Sequence, residues 1–255
     1  MPEGNNKGKK EYPLWLRILL PVVFWLALWC VASFLINKEL LLPTPLETLR
    51  RFGELAVTWE FWQTALLSLL RILLGIIWGS LLGILMAWLT LKVQLFDCIF
   101  SPVIRIVRAT PVASFIILVL LWVNTGAVPT VISGLMVMPV MWQNVRAGIV
   151  STDPLLIEMT KTYGFGRWKT FRYLYAPSVY PHLISGLCTS IGFGWKSGVA
   201  AEIICLPKAA IGTQIYYSKI YLETPSLFAW TAVVIVLSIA LEQIVKRTIG
   251  KGGVK

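Results

Sequence analysis

The chain has 255 residues, enough for one large domain, and 57% of them are apolar while only 14% are charged. That balance excludes an ordinary water-soluble core and places the chain in a lipid bilayer. A net charge of +11 could suit nucleic acid, but the basic residues sit in short tails and loops beside apolar runs. They fit a membrane protein with a positive inner side, and no nucleic-acid partner is expected.

Residues 1–11 are polar and lysine-rich and read as a cytoplasmic head. Residues 13–36 form the first expected span, long enough at about 1.5 Å per residue to cross a hydrocarbon core of about 30 Å. The run is longer than the apolar part of a signal peptide and no small-x-small cleavage site follows, which favours an uncleaved anchor. Residues 40–45 are a proline-punctuated turn, and residues 47–60 an amphipathic outer segment carrying charges of both signs.

The second apolar run, residues 62–91, is too long to stand upright in a bilayer. Along it Gly75, Gly79 and Gly83 recur every four residues, a small-residue stripe that lets another helix approach closely. The stripe suits packing within the chain or contact with a second subunit. Arg71 is expected to snorkel outward from the same face. The third span, residues 96–124, is interrupted at Pro102 and at Thr110-Pro111. Its Arg105 and Arg108 are expected in the inner interface, because a charge in hydrocarbon is costly. The fourth span, residues 127–150, brings Gln143, Asn144 and Arg146 to its inner end.

After a polar loop comes the fifth span, residues 182–206, where Gly186, Ser190, Gly194 and Gly198 repeat the four-residue stripe. Residues 208–223 read as an outer loop, and residues 227–245 as the sixth span. Basic residues then decide the orientation. One side collects Lys7, Lys9, Lys10, Arg17, Lys92, Arg146, Lys161, Arg167, Lys169, Arg172, Lys246, Arg247, Lys251 and Lys255. The other holds only Lys38, Arg50, Arg51, Lys208 and Lys219, so both termini are expected in the cytoplasm. Cys30, Cys98, Cys188 and Cys205 are scattered and read as packing residues rather than a disulfide set.

The loop between spans four and five carries the densest signal. Asp153 is a plausible N-cap, Pro154 fits the first helical position, and Leu155, Leu156 and Met159 follow at helical spacing. Gly164-Phe165-Gly166 breaks that helix. A second amphipathic run, residues 167–175, follows with Trp168, Phe171 and Leu174 on one face, and Pro177 is expected to end it. Such a basic hairpin suits docking to a partner; resting on anionic lipid is the alternative.

No catalytic or metal-binding constellation is expected. The run IGFGWKSG at 191–198 imitates a phosphate loop, but a residue separates Gly194 from Lys196 and the run lies inside a span. The lone His182, beside Pro181, reads as an interfacial group. Candidates to face a transported solute are the polar or amphipathic residues in or near the spans: Arg105, Arg108, Gln143, Asn144, Trp195, Lys196 and Glu202. Lys196 either favours an anionic or polar solute or is paired structurally, with Glu202 or with a partner subunit.

In the loop, Glu158, Gly164 and Pro177 stand at the spacing of the cytoplasmic docking loop of bacterial ABC importer permeases, with Leu174 in the place of its isoleucine. Met159, Thr160 and Ala176 depart from that pattern. LLPTPLETLR at 41–50, SLLRILLGIIWGSLLGI at 68–84, IRIVRATPVASF at 104–115 and GVAAEI at 198–203 also resemble permeases for nitrate, sulfonates, taurine and pyrimidine precursors. The resemblance implies an all-α polytopic membrane protein with six transmembrane helices and the type I importer fold. It implies a permease domain at 61–247, with a docking loop at 153–177, preceded by a segment at 1–60 and followed by a tail at 248–255.

By the same resemblance Glu158 and Gly164, with Tyr163, Phe165 and Arg167 beside them, dock a separate ATPase subunit that binds ATP and magnesium. A second permease copy (a homodimer) and an extracytoplasmic binding protein complete the implied assembly, in a bacterial cytoplasmic membrane. The rival readings are a secondary transporter or channel without an ATPase, and a membrane scaffold.

Overall fold

The structure, a computed structural model, describes residues 14–36, 38 and 40–250. The expected cytoplasmic head at 1–11 and residues 251–255 of the expected tail lie outside the described residues. Every regular element among the described residues is helical. Helix α1 (Leu14–Ile36) is almost wholly apolar, and from Leu19 on its side chains are mostly exposed. It is tied down at its second half, where the Trp29 indole donates to Pro43 O at 3.0 Å and Ser33 Oγ to Leu42 O at 2.9 Å. Helix α2 (Pro45–Ala56) opens on a reciprocal cap: Thr44 Oγ1 accepts from Glu47 N at 3.2 Å and Glu47 Oε2 accepts from Thr44 N at 2.7 Å.

The centre is a trio of long helices, α3 (Trp59–Lys92), α6 (Val128–Val150) and α9 (Ala176–Cys205). Glycine stripes set how closely they approach. A Cβ at Gly79 would fall 2.6 Å from Gly134 Cα on α6, and one at Gly83 would fall 2.6 Å from Met138 O. Gly75 likewise lies against Thr130 and Ser133. On α9, a Cβ at Gly186 would meet Asn144 Cβ at 2.9 Å, at Gly194 it would meet Val137 Cγ2 at 2.7 Å, and at Gly198 it would meet Ile72 Cγ1 at 2.7 Å. Ser190, in the same row, is fully buried. Both stripes therefore face helices of the same chain.

Gly79→Ala is expected to cost about 1–3 kcal/mol, since the atom it meets is backbone and cannot rotate aside. Gly53→Ala on α2, where nothing lies within 4 Å, serves as the matched control. The two thermal midpoints in detergent check this: a Gly79→Ala midpoint equal to the control's would refute it.

Two segments differ from the sequence expectation. The third span is interrupted at Thr110-Pro111 as expected, but not at Pro102. Helix α4 (Gln94–Ala109) runs through Pro102 without a break, and α5 (Val112–Leu120) leaves it at 108° across Thr110-Pro111. Proline at 111 biases Thr110 to extended backbone, which it adopts (ψ 133°), and this turns the chain. Asp97 near the start of α4 bonds Arg146, and Arg108 near its end bonds Gln143. Those partners lie within one turn of each other on α6, so α4 crosses α6 instead of running along it.

The second difference is the expected outer loop at 208–223, which contains helix α10 (Ile211–Ile220) packed against α9 and α11 (Thr224–Gly250). Its buried Ile211, Gly212, Thr213 and Ser218 are too sparse a pattern to read as a helix face.

By length and composition, α1, α3, α6 and α11 can cross a membrane, or five segments if the bent α4–α5 pair counts as one. Helix α9 has the length, 30 residues, but its glycines, prolines, serines and two charges make it less apolar than those four.

Candidate functional site

The hairpin after α6 is built by local rules. Asp153 Oδ1 accepts from Leu155 N at 2.9 Å and Pro154 occupies the first turn, which starts α7 (Pro154–Thr162). The helix closes with Phe165 N donating to Thr160 O at 2.9 Å and Gly164 N donating to Lys161 O at 3.0 Å. Gly164 between them has φ +65°, so the pair of bonds is the left-handed helix stop that glycine favours. A Cβ at Gly164 would have nothing within 4 Å, so backbone conformation alone, not space, calls for glycine there.

Gly166 then starts α8 (Arg167–Thr170). The hairpin holds little core of its own, only Thr160 and Leu174 being buried. Glu158, Tyr163, Phe165, Arg167 and Trp168 are all exposed, Tyr163 at 72%. The capped hairpin therefore leaves Leu155, Met159 and three aromatics uncovered on its surface.

The second arm does not end at Pro177. It passes through a π-helical turn, Phe171–Tyr175, with Ala176 N bonded to Phe171 O, and continues as α9. Pro177 comes just after that π-turn, where the bonding has already left α-helical register, so its missing N–H does not end the helix. The hairpin is thus continuous with a central helix. Its other arm joins the end of α6, which packs on α9 at Gly148 and bonds across from Ser151 Oγ to His182 Nε2 at 3.3 Å.

The polar residues in the helices divide into two groups. Arg105, Arg108, Gln143 and Lys196 are exposed. Arg105 Nε donates back to Ser101 O at 3.2 Å, and Arg108 Nη1 donates to Gln143 Oε1. Asn144 is half-buried, its amide donating to Val140 O at 2.9 Å, at the contact of α6 with α9. Trp195 and Glu202 are fully buried. The Trp195 indole donates to Val234 O on α11 at 3.1 Å, so it belongs to the packing of α9 on α11.

Glu202 pairs with Arg71, at 3.1 Å, and not with Lys196. Arg71 consequently points inward and does not snorkel, its side chain being 17% exposed. Sequence reading left two participants in such bonds out, Arg71 as a partner for Glu202 and Asp97 as a partner for Arg146, at 3.2 Å. The signal available was cost: a charge within or beside an apolar helix needs a counter-charge.

Helices long and apolar enough to cross a membrane thus pack around a central trio, and a capped hairpin runs into one of them. Residues 79–248 match the family described as "Binding-protein-dependent transport system inner membrane component", and the chain belongs to it. It is a permease, the transport subunit of an ATP-driven ABC system and not an enzyme, which leaves a gradient-driven carrier or channel unfavoured. The family implies two partners, an ATPase and a substrate-binding protein.

The chain is 25% identical over 248 residues to the taurine transport system permease protein TauC of Escherichia coli, covering 93% of this chain and 90% of that one. It is 25% identical over 245 residues to the riboflavin transport system permease protein RibX of Chloroflexus aurantiacus, covering 94% and 90%. In fold it is similar to a bacterial ABC transporter involved in the import of the acidic polysaccharide alginate, with a TM-score of 0.63 and 17% identity over 93% of this chain and 95% of that one.

Proposed function

We propose that two copies of this chain form the path for a small solute, each docking one ATPase subunit on residues 153–177. Glu158, Tyr163, Gly164, Phe165 and Arg167 make the docking face. ATP and magnesium belong to the ATPase, whose closure pushes the hairpin and, through the π-turn, α9. Both termini lie in the cytoplasm of a bacterial inner membrane, with six crossings made by α1, α4–α5 together, α3, α6, α9 and α11. A binding protein delivers solute on the opposite side. The observation that carries this reading is the exposed, capped hairpin running without interruption into a central helix.

Co-purification is the test. A tagged chain made with an ATPase encoded beside it is expected to retain that ATPase, and a chain with residues 158–166 replaced by a glycine-serine linker to lose it. Equal retention by both would refute the docking role.

Arg105, Arg108, Gln143 and Lys196, all exposed, face the path, while Asn144, Trp195 and Glu202 are taken up by packing between helices. Three cations and an amide suit a sulfonate- or nitrate-like solute, and taurine, which carries a sulfonate, is the probe of choice. The riboflavin relative favours a second reading, a vitamin or pyrimidine precursor. Lys196→Ala is expected to lower taurine uptake by about tenfold, one salt-bridge-sized interaction of roughly 1.4 kcal/mol, with assembly unchanged. Unchanged uptake would remove Lys196 from the path.

A further inference from the structure

Beneath the joint between the hairpin and α9 lies an apolar cavity of about 710 Å³. Its walls are the last turns of α3, the end of α6, the π-turn at Phe171 and Tyr175, and the start of α9. The lining is apolar apart from Lys92 and the polar edges of Trp88, Tyr175 and Tyr180. Leu81, Leu85 and Trp88 along its rim are exposed, so the cavity opens to the outside of the helix bundle. In a chain that spans a membrane, that outside is lipid.

A space of this size takes a whole small molecule. A polar solute entering it would give up its hydrogen bonds to water and find almost none in return. An apolar chain loses nothing there and supplies the contacts that the walls otherwise lack. Length narrows the occupant further. The lining row on α3 rises about 16 Å from Leu81 to Lys92, close to half of a hydrocarbon core of about 30 Å. That is the depth of one leaflet.

Charge narrows it again. At the end of the row the Lys92 ammonium rests over the Trp88 ring, 4.5 Å from its centroid. A lysine beside a tryptophan at a helix end suits the level of the lipid headgroups. Trp142 of α6 donates to Thr90 Oγ1 at 3.0 Å, so this end of α3 lies with the end of α6 that enters the hairpin. The walls, residues 81–92, 145–149 and 171–183, contain no aspartate or glutamate, and they carry Lys92, Arg146 and Arg172. Arg146 is paired with Asp97, whereas among the described residues neither Lys92 nor Arg172 meets a carboxylate.

We propose that this cavity binds a phospholipid with an anionic headgroup, one acyl tail lying along α3 and the phosphate on Lys92. The lipid comes from the leaflet on the hairpin's side. Its tail lies against Phe171 and Tyr175, and so fills the hollow behind the joint through which the hairpin continues into α9. The site needs only a chain set in a bilayer, and it stands or falls separately from the docking of an ATPase.

The test uses the full chain in phosphatidylcholine nanodiscs. Separate samples are doped with phosphatidylglycerol or phosphatidylcholine carrying a diazirine midway along one acyl tail, and adducts are located by peptide mass spectrometry after irradiation. The phosphatidylglycerol probe is expected to label residues 81–92 and 171–183 about fivefold more than the phosphatidylcholine probe, the preference that one lysine gives an anionic lipid. Lys92→Gln, at an exposed position, is expected to bring the two yields together. Ala176→Phe, which places a ring in the cavity, is expected to abolish both there while the exposed α1 is labelled as before. Should Ala176→Phe misfold, Lys92→Gln keeps the test decisive. Equal labelling of the unmodified chain by the two probes would mean unselective surrounding lipid. No labelling of the cavity by either would mean that a second copy of the chain covers it, and a preference that survives in Lys92→Gln would take the phosphate off Lys92. Each of these results overturns the proposal.

Discussion

Arg71→Ala is expected to cost about 3–5 kcal/mol of stability, the largest single effect in this chain, because it leaves the Glu202 carboxylate buried without its counter-ion. Glu202 is fully buried, and the surviving donors, Ser68 Oγ and Gly212 N, are neutral groups on one of its two oxygens. The measurement is the unfolding midpoint of the purified protein in a mild detergent. Arg71→Ala combined with Glu202→Gln is expected to recover part of the loss, since an amide can still accept from Ser68 and Gly212 without carrying a charge. A double variant no more stable than Arg71→Ala alone would mean that the pair is not coupled. By contrast, Lys246→Ala, whose pairing with Glu242 at 3.7 Å is exposed, is expected to change stability by less than about 1 kcal/mol.

The second large effect is functional. Gly164→Val forces a β-branched side chain into the left-handed region, at a local penalty of about 1–2 kcal/mol that opens the stop between α7 and α8. The rest of the fold makes no contact there, since nothing lies within 4 Å of an added Cβ. Membrane abundance should therefore stay normal while retention of the ATPase is lost. Gly164→Asn, which tolerates the same backbone region, is expected to retain it. Loss with both variants would point to the surface of the turn and away from its conformation.

Much of the hairpin was legible because its determinants are local. Asp153, Pro154 and Gly164 each act on backbone within a few residues, and each occupies the place its chemistry suggests. The central trio was legible in part for the same reason, since a glycine every fourth residue marks a helix face whatever it meets. What the glycines meet was not, because Gly79 on Gly134 is a long-range contact with no sequence signature.

Three features escaped. Pro177 was expected to stop a helix, but the π-turn before it shifts the bonding register and lets the helix run on past the missing N–H. Arg71 and Glu202 are separated by most of the chain, and only folding makes them a pair. Their mutual need was implicit in the cost of each charge, but not their identity. The same limit applies to α10, whose buried face is too short to outvote its polar residues.

The account depends on the hairpin being the contact through which a separate ATPase works the helices. The most direct measurement places a photo-reactive thiol reagent on Phe165→Cys, in a background without the native cysteines, in sealed vesicles of known sidedness. Irradiation is expected to join the chain covalently to the ATPase, and a membrane-impermeant thiol blocker is expected to prevent this only from the cytoplasmic side. Labelling of that position from outside intact cells, with no adduct to the ATPase, would contradict the account.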